Sequence, residues 1–239
     1  MCLALCQIFN GNRVLFVLIC TEGDNSESEC LTALDASLKN GQVPQEVIRF
    51  VEVLPIPLGG NQGHVKLVEK ANKQVETMER DPNSLLHLAL SEDGAEHDKW
   101  IVCDYDALDD ANITLQELRQ QASEAGYKLV VNKPKFEYFV LCLLIGAEDA
   151  NKVESGHYFV EINKRIDDLN KQNKTQKGFT DAMSIPHYSK KKYVTRELFG
   201  KLFSYNIELL DNLPVEHSDE DSQYTEMHCL INAIRLLYL

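Results

Sequence analysis

The chain has 239 residues, 44% of them apolar and 26% charged, which suffices for one compact α/β domain or a core with an appendage, and we do not expect two independent folds. Its formal net charge of −13 excludes a protein that coats nucleic acid by bulk electrostatics, because neutralising phosphates requires clustered Lys and Arg. The seven cysteines form no C-x-x-C pair and several lie in apolar runs, which is typical of a reducing cytoplasm.

The chain opens with two short apolar runs, residues 2–9 and 13–20, joined by a loop that contains Asn10-Gly11, and this pattern predicts a β-hairpin. The polar loop and the lack of a basic leader argue against a signal peptide, and no other stretch reaches the roughly 20 apolar residues of a spanning helix. We therefore expect a soluble, cytoplasmic protein. The second run is apolar throughout, as in a strand covered on both faces, and it ends just before Glu22.

Alternating strand and helix patterns follow this strand. Ser26 and Glu29 resemble a capping box, and the helix that they begin is expected to stop at Asn40-Gly41. Further strands are predicted at residues 47–54, 99–103 and 127–131, and helices at 64–79, 114–125 and 136–145. This order predicts a mainly parallel sheet with flanking helices.

The composition changes beyond Ala150. The chain there contains polar, Lys-rich segments that are compatible with helices, at residues 157–173, 192–210 and 223–238. We interpret residues 1–148 as an α/β core with its N-terminal hairpin. Residues 149–239 are predicted to form a helical region that packs on this core.

Acidic residues follow two of the predicted strands directly. Glu22 comes after the first buried strand, and Asp104 and Asp106 come after the strand at residues 99–103. Ligands of parallel α/β sheets bind at the carboxyl ends of strands, and the first and third strands of a βαβαβ unit can be neighbours. The three carboxylates are therefore expected to meet in one crevice.

A cluster of three carboxylates needs a cation to relieve its charge repulsion, and Mg²⁺, with Mn²⁺ as an alternative, prefers such oxygen ligands. Strand alternation places the side chains of Asp104 and Asp106 on one side and Tyr105 on the other. Glu22 is either a metal ligand or a general base, and the sequence does not separate these roles.

A carboxylate after the first buried strand and D-x-D after the third resemble the Toprim signature of topoisomerases, primases and several nucleases. More of the chain resembles the narrower RloB family, also called AbiLii-like, of bacterial phage-defence loci. Residues 17–25 (VLICTEGDN) are similar to its strand and C-E-G-E opening, and residues 60–71 to its glycine-bounded helix entry. Residues 99–106 (KWIVCDYD) and 132–144 (NKPKFEYFVLCLL) resemble two further blocks, in family order.

This resemblance implies a Toprim-like fold and a metal-dependent nuclease that acts in abortive infection beside an AAA-type ATPase. It also implies a site role for Glu137, although a carboxylate in the first turn of a helix is equally explained by the helix dipole. The chain departs from the family pattern in three places. Cys103 replaces an aromatic residue, Asn132-Lys133-Pro134 replaces Ser-Asn-Pro, and Ile145 stands near the place of a histidine that closes the family's apolar run.

Basic residues near these blocks are candidate phosphate contacts. Lys133 and Lys135 flank the entry to the helix of Glu137, and residues 186–201 form the one strongly basic stretch of the chain. Such a stretch is often only a solvated helix face, but the family tends to have a Tyr-x-Lys element here, which favours a substrate role. The predicted substrate-binding residues of this stretch are Tyr188, Lys190, Lys191 and Lys192, with His187 as a weaker candidate for a catalytic acid.

The leading interpretation is a nuclease that hydrolyses DNA or RNA, including tRNA, with Mg²⁺ held by Glu22, Asp104 and Asp106. The alternative is a non-catalytic binding or regulatory subunit of a defence complex with an ATPase, which the acidic charge fits. A third hypothesis is nucleotidyl transfer, as in primases, but the sequence shows no additional triphosphate-binding motif for it. The substrate, the number of metal ions and the oligomeric state, a homo-oligomer included, stay open.

Overall fold

A computed structural model describes residues 14–22, 26–42, 50–58, 66–84, 86–87, 96–105, 113–175, 180–189, 191–205, 207–213 and 223–237. Its centre is one open sheet in the order β2-β1-β3-β4-β5. The first four strands are parallel, and β5 pairs with β4 in the antiparallel sense. The strands are β1 (Val14–Thr21), β2 (Phe50–Pro57), β3 (Glu96–Asp104), β4 (Lys128–Lys133) and β5 (Tyr224–Thr225).

The order of the strands sets the position of the predicted acidic residues. β1 lies between β2 and β3, and Thr21 at its end is the register partner of Val102. The prediction that the first and third strands of the βαβαβ unit are neighbours is therefore confirmed. The first strand of the predicted N-terminal hairpin lies outside the described residues, and β1 corresponds to its second strand.

The second strand ends three residues later than predicted. The sequence places a loop from Pro55 onward, but β2 continues through Pro55 to Pro57, and the next amide, that of Leu58, donates to Thr21 O at 2.8 Å. Proline lacks an amide donor and is tolerated only where no partner strand needs that donor. Among the described strands β2 pairs with β1 alone, so its other edge accepts both prolines.

Helices connect the strands and follow the sheet. The two that cross between the first three strands and the helix at residues 136–145 occur where the sequence predicts them. The α-helices are α1 (Ser26–Gln42), α2 (Leu67–Arg80), α3 (Leu115–Glu124), α4 (Phe136–Ile145), α5 (Ala147–Ala150), α6 (Tyr158–Lys174), α7 (Lys192–Tyr205) and α8 (Met227–Leu237). In the described part of the chain none of them is long and apolar enough to cross a membrane.

Capping explains one helix start. Thr114 accepts a hydrogen bond from the amide of Glu117 at 3.2 Å, while the Glu117 carboxylate accepts from the Thr114 amide at 2.8 Å, which is a capping box for α3. The capping box that the sequence predicts at Ser26 contains Glu29, which is buried in α1 and accepts two hydrogen bonds from Arg196 of α7. This ion pair joins the first helix to the C-terminal region.

The sheet separates two hydrophobic clusters, because side chains alternate along each strand. Val17 and Ile19 of β1 face one cluster, which includes α4 and the C-terminal helices, whereas Leu18 and Cys20 face the other, which includes α2 and α3. β1 is thus buried on both faces, as its uninterrupted apolar sequence predicts. The result is a three-layer arrangement, with the sheet between two layers of helices.

The C-terminal region is more than a helical appendage. Tyr224–Thr225 add β5 to the sheet edge, and residues of α7 and α8 belong to the same cluster as the core of β1 and β3. The buried Glu226 accepts a hydrogen bond from Val131 N at 2.8 Å and an ion pair from Arg119. The segments beyond residue 150 therefore complete the sheet and its core.

Candidate active site

Glu22 and Asp104 lie side by side at the carboxyl edge of the sheet. The Glu22 amide donates to Val102 O at 3.0 Å, which extends the pairing of β1 and β3 by one residue. From this position its carboxylate reaches across the strand ends, and Oε2 accepts a hydrogen bond from the Asp104 amide at 3.1 Å. Two residues 82 positions apart in sequence thus meet through a direct contact.

The end of β3 is held firmly by the next strand. Asp104 is the register partner of Asn132 on β4, and the Tyr105 amide donates to Asn132 O at 2.9 Å and to Pro134 O at 3.1 Å. Tyr105 packs against the cluster that contains α2 and α3. Val102 faces the opposite cluster, and strand alternation puts Asp104 on the same face as Val102. The side chains of Asp104 and Tyr105 therefore take opposite faces of the sheet, as expected.

Glu22 and Asp104 fit a hard divalent cation by the chemistry of their donors. Both are half-buried, and both present carboxylate oxygens, the ligand type that Mg²⁺ and Mn²⁺ take. The third expected ligand, Asp106, lies outside the described residues. Within the described residues no group of three or more His, Cys, Asp or Glu side chains is close enough to hold a metal ion.

Glu137 lies at the same edge of the sheet, in the first turn of α4 after β4. Its side chain is only 5% exposed, and its Oε1 accepts a hydrogen bond from the Tyr188 hydroxyl at 3.3 Å. The same hydroxyl is 3.3 Å from Ser26 Oγ, at the start of α1 and a few residues after Glu22. Glu137 is therefore part of a buried polar cluster that joins the segments after β1 and β4.

Tyr188 is not part of an exposed basic patch, in contrast to the substrate-binding role that the sequence suggests. Its side chain is 1% exposed, its amide donates to Asn163 Oδ1 at 2.6 Å, and its ring contacts Phe159. Burial, and then the negative charge of Glu137, raise the pKa of the Tyr188 hydroxyl, which keeps it a proton donor. Its side chain is therefore an interior one that contacts Glu137 and Ser26, not a surface one.

The lysines of the basic stretch divide between described and undescribed positions. Lys191 is exposed and its backbone carbonyl accepts the first bonds of α7, whereas Lys190 and the side chain of Lys192 lie outside the described residues. His187 Nε2 contacts Asp167 Oδ1 at 2.8 Å, and both side chains are more than half exposed. In this arrangement His187 contacts α6 and an acidic partner.

The two lysines before α4 lie on aromatic rings. Lys133 Nζ is 4.7 Å from the ring centroid of Tyr105 and 5.9 Å from that of Tyr224, and Lys135 Nζ is 5.8 Å from that of Tyr158. Cation–π contacts of this kind hold a positive charge near a fixed position. Positive charge thus stands at the carboxyl end of β4, the strand next to that of Asp104.

Cys103, directly before Asp104, is a buried hydrophobic residue and not a nucleophile. Burial raises the pKa of its thiol well above the ordinary value, and the negative charges of Glu22 and Asp104 add to this shift. The other described cysteines are free thiols as well, and all but Cys229 are buried. Cysteine chemistry is therefore absent from this edge among the described residues.

Asn132 belongs to the site, although sequence reasoning treated it only as a departure from a family pattern. It is fully buried, opposite Asp104 on one side and Thr225 of β5 on the other. Thr225 Oγ1 donates to Asn132 Oδ1 at 2.7 Å. The sequence does not predict this role of Asn132, because its partner strand β5 has only two residues and so shows no periodicity.

The fold and this edge define an α/β protein with a mostly parallel sheet that carries paired carboxylates at its strand ends. The family model of RloB-like protein matches residues 17–234, which is most of the chain. The chain therefore belongs to the RloB-like family. No curated protein and no solved structure matches it.

Proposed function

We propose that the chain is a metal-dependent nuclease of the Toprim type, which hydrolyses phosphodiester bonds of DNA or RNA in antiphage defence. The observation that carries the proposal is the contact of Glu22 Oε2 with the Asp104 amide at 3.1 Å, at the carboxyl ends of neighbouring parallel strands. This is where α/β sheets bind their ligands. The same two residues occupy the acidic positions of the motifs that resemble the family.

Carboxylates alone do not cleave a phosphodiester, and their function here is to hold a cation. Glu22 and Asp104, with Asp106, would hold Mg²⁺ or Mn²⁺, which when bound lowers the pKa of water and offsets the charge on phosphate oxygens. The hydrogen bond from the Asp104 amide orients the Glu22 carboxylate before any ligand arrives. Because the strand holds this amide in place, the Glu22 side chain is already ordered and loses little conformational entropy when substrate binds.

Other residues at this edge have separate tasks in the proposal. Lys133 and Lys135 supply positive charge for a substrate phosphate, and the exposed Lys191 extends that charge toward α7. Glu137, held by Tyr188, is an auxiliary base or metal ligand. The local supply of lysine offsets the net charge of −13 where the polyanion would approach.

The setting of the reaction is the part of the proposal that rests on family resemblance. Members of such loci stand beside an AAA-type ATPase, which here would control when the nuclease acts. The resemblance, and not the geometry of the edge, supports this partner and the role in abortive infection.

The experiment compares two Asp→Asn substitutions on one strand. Asp104→Asn removes a carboxylate at the carboxyl end of β3, while Asp98→Asn removes one near the amino end of the same strand, where Asp98 binds Lys128 at 2.8 Å. Purified variants are incubated with plasmid DNA, single-stranded DNA and a tRNA pool, with Mg²⁺ or Mn²⁺. We expect Asp104→Asn to lower the cleavage rate at least about a hundredfold and Asp98→Asn to leave it near wild type.

Equal cleavage by wild type and Asp104→Asn would refute the catalytic assignment. Binding of nucleic acid without cleavage, unaffected by EDTA and by Asp104→Asn, would favour the alternative of a binding or regulatory subunit. Adding the neighbouring ATPase with ATP tests whether an activator is needed.

A further inference from the structure

Asn132 has a buried amide nitrogen that the packing of the sheet does not satisfy. The side chain is 0% exposed, and its Nδ2 has no hydrogen-bond partner among the described residues. An unmade hydrogen bond at a buried donor is costly, so native structures rarely retain one without a bound group or water. The position of this donor, at the end of β4 beside Asp104, is therefore informative.

The orientation of the amide is fixed by a chain of hydrogen bonds from β5. Thr225 Oγ1 accepts a hydrogen bond from the Met227 amide at 3.2 Å and donates its proton to Asn132 Oδ1 at 2.7 Å. The nitrogen of the planar amide must then point away from β5.

The strand order defines what lies in that direction. β4 stands between β5 and β3, and the register partner of Asn132 on β3 is Asp104. Tyr105 N donates to Asn132 O at 2.9 Å, which keeps the two strand ends in contact beyond the last paired residue. Asp104, Asn132 and Thr225 form one row across three strands.

We propose that Asn132 is a positioning residue for Asp104, and that its Nδ2 donates to the Asp104 carboxylate, directly or through one buried water, to orient this ligand for a divalent cation. A carboxylate has about four lone-pair positions, so it can accept this bond alongside its other contacts and a cation. Residues that hydrogen-bond to a metal ligand set its direction and basicity. The inference rests on the proposed cation site and adds to it a residue that touches neither metal nor substrate.

The test breaks the bond between Asn132 and Thr225 from either end. Asn132→Leu removes this bond and the Nδ2 donor together, whereas Thr225→Val removes only the bond and leaves Nδ2 in place. Asn132→Ala is a smaller change that also lacks the donor. The binding of Mn²⁺ alone to the full chain is measured by calorimetry and by the loss of the free-ion electron paramagnetic resonance signal, with thermal unfolding as the check on folding.

We expect Asn132→Leu and Asn132→Ala to weaken Mn²⁺ binding by about ten- to a hundredfold, and Thr225→Val, which frees the amide but keeps its Nδ2 donor, to weaken it by a smaller factor of about three to five. Wild-type affinity in both Asn132 variants would overturn the role of Asn132 while the cation site stands. Equal losses of Mn²⁺ affinity in the Asn132 and Thr225 variants would show that these residues only support the structure, and would also overturn the positioning role of Asn132. A wild-type chain that binds no Mn²⁺ would overturn the cation site itself, and this inference with it.

Discussion

Removing one hydroxyl from Tyr188 tests whether the buried cluster around Glu137 serves the proposed reaction. Tyr188→Phe keeps the buried ring but deletes the donor that contacts Glu137 Oε1 and Ser26 Oγ, both at 3.3 Å. Hydrogen bonds to charged groups contribute about 1.5–3 kcal/mol, and the long distance of 3.3 Å places this one somewhat below that range. We expect the free energy of unfolding to fall by about 1 kcal/mol.

A matched control exists in Tyr158, which is equally buried and donates its hydroxyl to Gln223 Oε1 at 2.7 Å, away from Glu137. Tyr158→Phe should also cost about 1 kcal/mol, because one neutral hydrogen bond is lost. Urea unfolding can be followed by the fluorescence of Trp100, the single and buried tryptophan of the chain. Equal stability losses then isolate the effect on activity.

The two variants should differ in cleavage. Loss of the Tyr188 hydroxyl removes about 1 kcal/mol of positioning from Glu137, so the kcat of Tyr188→Phe should fall about five- to tenfold, whereas Tyr158→Phe should keep the wild-type kcat. The initial rate of cleavage at saturating substrate and Mg²⁺ is the measurement. An unchanged kcat in Tyr188→Phe, or the same decrease in both variants, would refute a role of this cluster in catalysis.

Two further predictions concern charge and thiols. Lys133→Met, at the carboxyl end of β4, should weaken the binding of a labelled single-stranded oligonucleotide about five- to tenfold in an anisotropy titration. Lys128→Met, at the other end of that strand, should leave this binding unchanged. Equal effects of the two substitutions would contradict a local phosphate contact. Burial raises the pKa of Cys20 and Cys142 to about 12, so near pH 8 their thiolate fraction is roughly one in ten thousand. Iodoacetamide should therefore modify the exposed Cys229 well before Cys20, Cys142 or the buried Cys103, as peptide mass spectrometry would show, and rapid modification of Cys103 in the folded protein would contradict its burial.

The sequence determined the local elements of this protein with good fidelity. Apolar runs that end in acid predicted β1 and β3, and the uninterrupted run from Phe136 to Ile145 predicted a buried helix with the observed bounds. Periodicity is visible in one segment at a time, because it reflects which faces of that segment are buried. The sequence also predicted the proximity of Glu22 and Asp104, because the first and third strands of a parallel βαβαβ unit can be neighbours.

Tertiary structure alone decided how distant segments combine. The prolines of β2 are allowed because that strand lies at an edge, and Tyr188 is buried because α6 and Glu137 cover it, which a basic neighbourhood in sequence cannot reveal. The two residues of β5 carry no pattern, yet Thr225 fixes the amide of Asn132 beside Asp104. Asn132 and Thr225 are 93 positions apart, so the sequence shows the carboxylates while only the fold shows which residues surround them.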